Sequence, residues 1–289
     1  MQGVRKAFPG VLALDGVDLE VLAGEVHVLL GENGAGKSTL INVLGGALRP
    51  DAGTIAIDGE RVTFASPRDA RAHGVAIVHQ ELALVPTLSV AENVLLGEPP
   101  SRAGLVDRAA MAAEARAALA VLDPSIAVEQ PVGALRLGQQ QLVEIARAMR
   151  RRPRLLVLDE PTSALTPHET ARLFDGIRAL VAEGAAVIYI SHRMDEIATI
   201  GDRITVLRDG RHVATRPARP LQEQELVRLM AERDTSTPIA ASVAASVAAP
   251  AVTPSDVPYL RVRGLSRRGV LHDLSFAAHA GEVLGFAGL

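Results

Sequence analysis

An α/β fold is predicted by three features of the 289-residue chain. Short apolar segments alternate with helical stretches from Met1 to about Arg233. Leu155–Leu158 and Ala186–Ile190 are continuous apolar runs, as expected of parallel strands covered on both faces. A glycine-rich run, Gly31 to Ser38, joins a third apolar strand to a helix. Along the chain, Glu25–Leu30 reads as the strand entering that run and Ser38–Leu44 as the helix leaving it. The alanine-rich stretch Arg108–Leu122 reads as a helix, Leu142–Arg151 as another, and Asp209-Gly210 as a late hairpin turn.

Gly31-Glu32-Asn33-Gly34-Ala35-Gly36-Lys37-Ser38 is a P-loop followed by Thr39. Its glycines let successive backbone N–H groups face a phosphate, and the helix start adds partial positive charge. Ser38 offers a hydroxyl to Mg²⁺. Only Lys6 and Lys37 are lysine among 30 Lys+Arg residues. Lysine is therefore kept where a compact ammonium suits the β- and γ-phosphates and a planar guanidinium does not. Further on, Leu155–Leu158 ends in Asp159 and Glu160. At the C-terminal end of a parallel strand, Asp159 is placed to bind Mg²⁺ directly or through water, and Glu160 to polarise an attacking water.

Composition narrows the classes. With 48% hydrophobic and 22% charged residues the chain has the balance of a globular protein, longer than one ordinary domain. A net charge of -3 and 2% aromatics argue against nucleic acid as a partner. No cysteine means no disulfide framework or thiolate metal site, which suits a reducing cytoplasm. No apolar run approaches the roughly 20 residues that span a bilayer, so membrane association has to go through a partner.

Three segments follow: 1–233, a linker at 234–258, and 259–289. The linker holds Pro238, Pro250, Pro254 and Pro258 among alanines and reads as flexible, with an alanine helix as the alternative. Gly24-Glu25-Val26 and Gly31 recur as Gly281-Glu282-Val283 and Gly288, a common offset of 257 residues (281 − 24 and 288 − 31). Val17-Asp18-Leu19 matches Leu274-Ser275-Phe276 in kind, so a second copy of the first domain begins near Tyr259.

With these residues the chain resembles ATP-binding cassette (ABC) ATPases, of the duplicated type that energises bacterial importers of monosaccharides such as ribose, galactose and xylose. The resemblance covers nearly the whole chain. It implies a P-loop NTPase fold of the ABC type: a mixed sheet core with a helical subdomain, plus the start of a second copy. His79-Gln80-Glu81 and the stretch to Gly97 resemble the Q-loop, with Gln80 reaching Mg²⁺ and the attacking water. Leu135-Arg136-Leu137-Gly138-Gln139-Gln140-Gln141 resembles the signature motif that caps the γ-phosphate held by an opposing domain. Pro161–Thr166 resembles the D-loop, and Tyr189–Glu196 the segment whose His192 senses the γ-phosphate. Phe8 stands where the family places the aromatic that stacks on adenine.

The resemblance further implies ATP and Mg²⁺ as cofactors and a peripheral place on the cytoplasmic face of the membrane. The implied partners are membrane permease subunits docked around Glu81 to Glu98, a second nucleotide-binding domain or another copy, and indirectly a solute-binding protein. Two departures stand out. Arg136 replaces the family's signature serine, which the duplicated importers would tolerate at a degenerate site. The chain also opens at Met1-Gln2-Gly3, short of most of the family's first strand, and closes before its second P-loop, as a truncated frame would. The competing readings are a tandem cassette protein not tied to transport, against which the alanine-proline linker speaks, and an inactive fragment.

Overall fold

In the computed structural model, which describes residues 1–220, 223–230, 257–269 and 271–286, two sheets organise the N-terminal part of the chain. The antiparallel pair β1 (Gln2–Phe8) and β2 (Val11–Val17) precedes β3 (Val26–Leu30), which runs into the glycine-rich loop and α1 (Lys37–Leu44). β4 (Ala52–Ile57) and β5 (Glu60–Val62) complete a four-stranded sheet of order β2-β1-β4-β5. α2 (Pro67–Ala72) leads to β6 (Val75–Val78). A helical group follows: α3 (Val90–Val94), the small hairpin β7 (Ser101–Arg102) and β8 (Leu105–Val106), α4 (Arg108–Leu119) and α5 (Leu137–Arg150). The chain then builds β9 (Leu155–Asp159), α6 (Pro167–Ala182), β10 (Ala186–Ile190), α7 (Met194–Ile200), β11 (Arg203–Arg208), β12 (Arg211–Pro217) and α8 (Glu223–Met230). The second sheet has the order β12-β11-β3-β10-β9-β6, parallel throughout except for β12.

The continuous apolar strands are explained by burial on both faces. In β9 and β10, Leu156, Leu158, Val187 and Tyr189 pack with α3, α4, α5 and α6, while Val157, Ile188 and Ile190 point to the side of α1 and the four-stranded sheet. Each such side chain withdrawn from water contributes about 1.5–3 kcal/mol. Facing β11, Val28 and Leu30 join Ile197 of α7 and Leu226 of α8 in a third cluster. Among the described residues, no helix is long and apolar enough to cross a membrane.

Three boundaries differ from the sequence reading. The helix expected over Arg108–Leu122 stops at Leu119, although Leu122 is still buried. The helix expected from Leu142 begins at Leu137. Its first turn carries glycine and glutamine rather than apolar periodicity, and it is set by packing: a Cβ on Gly138 would lie 2.6 Å from the Ala164 carbonyl oxygen. A first strand, expected to be mostly lacking, is present as β1. Its Val4 is fully buried opposite Val17, and Asp51 accepts from the Lys6 ammonium at 2.8 Å and the Ala7 N–H at 2.7 Å. The Asp209-Gly210 turn joins β11 to β12 as expected, with φ of 50° and 71°.

The chain divides into two compact units, Met1–Glu232 and Arg233–Leu289. In the second, β13 (Pro258–Arg267) and β14 (Leu271–His279) form an antiparallel hairpin, the counterpart in order of β1 and β2. Val283, the counterpart of Val26, is 98% exposed and lies outside any strand. β3 is held between β10 and β11, and among the described residues of the second unit nothing supplies such neighbours. Most of the expected linker, residues 234–256, lies outside the described residues.

Candidate active site

The P-loop leaves β3 at Leu30 and turns into α1 through Gly36, whose φ of 99° and whose position 2.7 Å from the Ala13 carbonyl oxygen, measured from an added Cβ, leave room only for glycine. No side chain caps α1. By contrast α2, α3, α4 and α6 are capped by Ser66, Ser89, Asp107 and Thr166. The first N–H groups of α1 therefore stay available to an anion. The Lys37 ammonium is half-buried and donates to the carbonyl oxygens of Gly31 at 2.7 Å and Glu32 at 3.0 Å. Burial pulls its pKa down, against the opposing pull of Asp159 and Glu160. Ser38 is exposed on the first helical turn and Thr39 half-buried beside it; Ala35 is buried.

Asp159 closes β9 in register with Ile190 of β10. Burial, and then the neighbouring Glu160 carboxylate, push its pKa up. Glu160 has a φ of 47°, a left-handed conformation that costs a non-glycine residue on the order of 1–3 kcal/mol. Its carboxylate has two side-chain neighbours. One oxygen accepts from the Gln80 amide at 3.4 Å and the other lies 3.2 Å from His192 Nδ1. Three residues singled out from separate segments thus meet at one carboxylate. The contacts do not include Phe8, which is 40% exposed at the end of β1 with the Lys6 ammonium 5.9 Å from its ring centroid.

The segment after Gln80 is anchored from α5. Buried Glu144 accepts from the Ala83 N–H at 3.0 Å, and Arg147 donates to the Ala83 carbonyl at 3.0 Å. Burial pushes the Glu144 carboxyl up. Arg136, in the segment that resembles the signature motif, is extended at the start of α5, where no side chain caps the helix. Its guanidinium donates at 2.8 Å to Glu169, whose other oxygen accepts from the N–H and hydroxyl of Thr166. Sequence reasoning missed both Glu144 and Glu169. The Thr166-x-x-Glu169 spacing is a capping-box pattern that marks Glu169, whereas Glu144 is only a charged residue in an apolar stripe.

The family described as ABC transporter matches residues 14–163. The chain belongs to this family. Among relatives of this ABC protein, a ribose import ATP-binding protein of Rubrobacter xylanophilus is 50% identical over 289 residues, covering 100% of this chain and 57% of the relative. A second, from Streptomyces avermitilis, is 47% identical over 100% of this chain and 53% of its own length. The chain thus spans about half the length of the curated relatives it matches. Among solved structures, a nucleotide-free ATP-binding cassette from an ABC transporter aligns with TM-score 0.69 and 28% identity, covering 81% of this chain and 94% of that one. An ATP-binding cassette in its ADP conformation aligns at 0.68 and 29%, covering 79% and 96%.

Proposed function

We propose that this chain is the ATP-binding and ATP-hydrolysing part of a subunit that energises sugar import, peripheral to the cytoplasmic face of the membrane. The observation that carries the reading is the convergence of Gln80 and His192 on Glu160, at the end of the strand two places from the one that feeds the P-loop. In this reading Gly31 to Thr39 cradle the phosphates, and the Lys37 ammonium exchanges its two carbonyl partners for phosphate oxygens. Phe8 stacks on adenine. Glu160 accepts a hydrogen bond from the attacking water and aligns it with the γ-phosphate, while His192 and Gln80 hold Glu160 and the water in place.

The donors suited to Mg²⁺ are the Ser38 hydroxyl, the Asp159 carboxylate and the Gln80 amide oxygen, a hard oxygen set. No cluster of three His, Cys, Asp or Glu competes with them among the described residues. Bound there, Mg²⁺ would neutralise charge on the phosphates.

Residues 1–233 form the first nucleotide-binding domain, 234–258 the linker and 259–289 the start of the second. The partners are a second nucleotide-binding domain or another copy, permease subunits docked around Glu81 to Glu98, and indirectly a solute-binding protein, with no role for nucleic acid. Ribose is the cargo to try first, given the names of the relatives. Calorimetric titration with MgATP tests the nucleotide half; no saturable binding removes it. ATP-driven ribose uptake into vesicles carrying permease and the assembled ATPase tests the transport half.

A further inference from the structure

Glu196, in the first turn of α7, is a carboxylate only 2% exposed, and three hydroxyl donors and one guanidinium converge on it. One oxygen accepts from the Thr162 hydroxyl at 2.8 Å and forms an ion pair with the Arg193 guanidinium at 3.1 Å. The other takes the Tyr189 hydroxyl at 2.8 Å and the Ser191 hydroxyl at 2.9 Å. Tyr189 itself is fully buried, and burial followed by the Glu196 charge raises its phenol well above the usual range, so its proton stays available to donate to Glu196. Ser191 Oγ in turn accepts from the Arg193 N–H at 3.1 Å, closing the turn around His192.

The placement of these donors is more telling than their number. Thr162 lies two residues after Glu160, and Ser191 is the residue before His192. One buried carboxylate therefore grips both segments that supply the Glu160–His192 contact of 3.2 Å. Burying a carboxylate costs several kcal/mol before its partners are counted, and an apolar side chain of similar size fills space more cheaply. A fully paired buried charge instead fixes one relative arrangement of the segments it joins.

We propose that Glu196 is a positioning residue that locks the Pro161–Thr166 segment to the His192 segment and so sets the spacing of Glu160 and His192. Movement of either segment must then carry the other with it. A change felt at residues 161–166 is passed to His192 without any contact between His192 and the cause. The catalytic consequence rests on the ATPase reading above; the mechanical one does not.

The first measurement is amide hydrogen exchange on the nucleotide-free 289-residue chain. In Glu196→Gln, exchange at 160–164 and at 190–193 is expected to rise together by about tenfold, as for the loss of one charged hydrogen bond, with residues 31–39 unchanged. A rise in one segment alone, in neither, or equally over the whole chain overturns the lock. The second measurement is MgATP turnover in the assembled transporter. Glu196→Gln should lower turnover about tenfold at unchanged MgATP affinity, and should cause no further loss on a His192→Ala background. Equal losses on both backgrounds would reduce Glu196 to a general stabiliser and end the proposal. An unmutated protein without turnover sinks the ATPase reading, while the exchange data still decide the lock. Should Glu196→Gln fail to fold, Thr162→Val removes a single donor: exchange must then rise at 160–164, and a flat profile there overturns the lock.

Discussion

The P-loop and the signature segment both feed a helix that no side chain caps, yet they are held in opposite ways. In the P-loop the key cation bonds to carbonyls five and six residues behind it, Glu32 and Gly31. In the signature the cation is tied to Glu169, 33 residues away, and Gly138 packs against Ala164 on the far side of β9. The cation of one site is held by its own stretch of chain and that of the other by the fold around it. Side chains changed in the first should alter ligand chemistry with little effect on stability, and the reverse should hold in the second.

The largest expected effect tests the catalytic end of the P-loop side. Glu160→Gln keeps the shape and both side-chain neighbours but removes the proposed base, so turnover should fall by about 10²–10⁴ while MgATP binding persists. Steady-state ATPase assays paired with nucleotide titration read the two separately. Normal turnover would move the role to His192. Next is Lys37→Ala, which removes the ammonium proposed to meet the phosphates. Loss of charged hydrogen bonds to several oxygens predicts affinity lower by on the order of 10²-fold or more, with the melting temperature nearly unchanged. Lys37→Arg should fail as well, because a planar fork does not fit a point-charge site.

The same contrast explains how much could be read from the sequence. The P-loop, the Asp159-Glu160 strand end, Gln80 and His192 are each marked by a local run of residues, and their local settings on strands and loops follow from patterns of a few positions. The α/β class and the recurrence at an offset of 257 residues (281 − 24) were legible for the same reason. The roles of Glu144, Glu169 and Glu196 were not, since each depends on a partner distant in sequence, 61, 33 and 34 residues away, besides its near neighbours. A buried glutamate on a helix looks in sequence like any solvated one. The early start of α5 escaped likewise, because a glycine packed on a carbonyl leaves no hydrophobic period.

On the signature side the larger effect belongs to Gly138→Ala. The new Cβ would lie 2.6 Å from a backbone oxygen that cannot swing aside, so α5 or the Pro161–Thr166 segment has to shift. A loss of about 1–3 kcal/mol in unfolding free energy is expected, measured by denaturant titration, while MgATP affinity of the chain stays as it was. Weakened nucleotide binding at unchanged stability would break the comparison, since it would make the signature behave as the P-loop does.

The smallest effect is expected from Arg136→Ser, which introduces the serine that the resemblance implies at this position. The guanidinium is 58% exposed while its partner carboxylate is nearly buried, so the pair is screened and contributes no more than about 1 kcal/mol. Turnover should change little if this signature serves a degenerate site; a large gain would show that the arginine disables a site that matters. The pH dependence has a definite sign. Burial raises the Glu169 pKa, but the Thr166 N–H, the Thr166 hydroxyl and Arg136 together outweigh burial and hold it below its ordinary 4.5. A carboxylate depressed in the folded state contributes stability that is present above the unfolded value and is lost as pH falls through the folded one. Removing Arg136 lessens the depression. Acid unfolding of Arg136→Ser should therefore begin at slightly higher pH than in the parent chain, with the two curves converging once Glu169 is protonated in both. Parallel curves displaced equally at pH 7 and pH 3 would mean that Arg136 acts through packing of its side chain and not through its charge on Glu169.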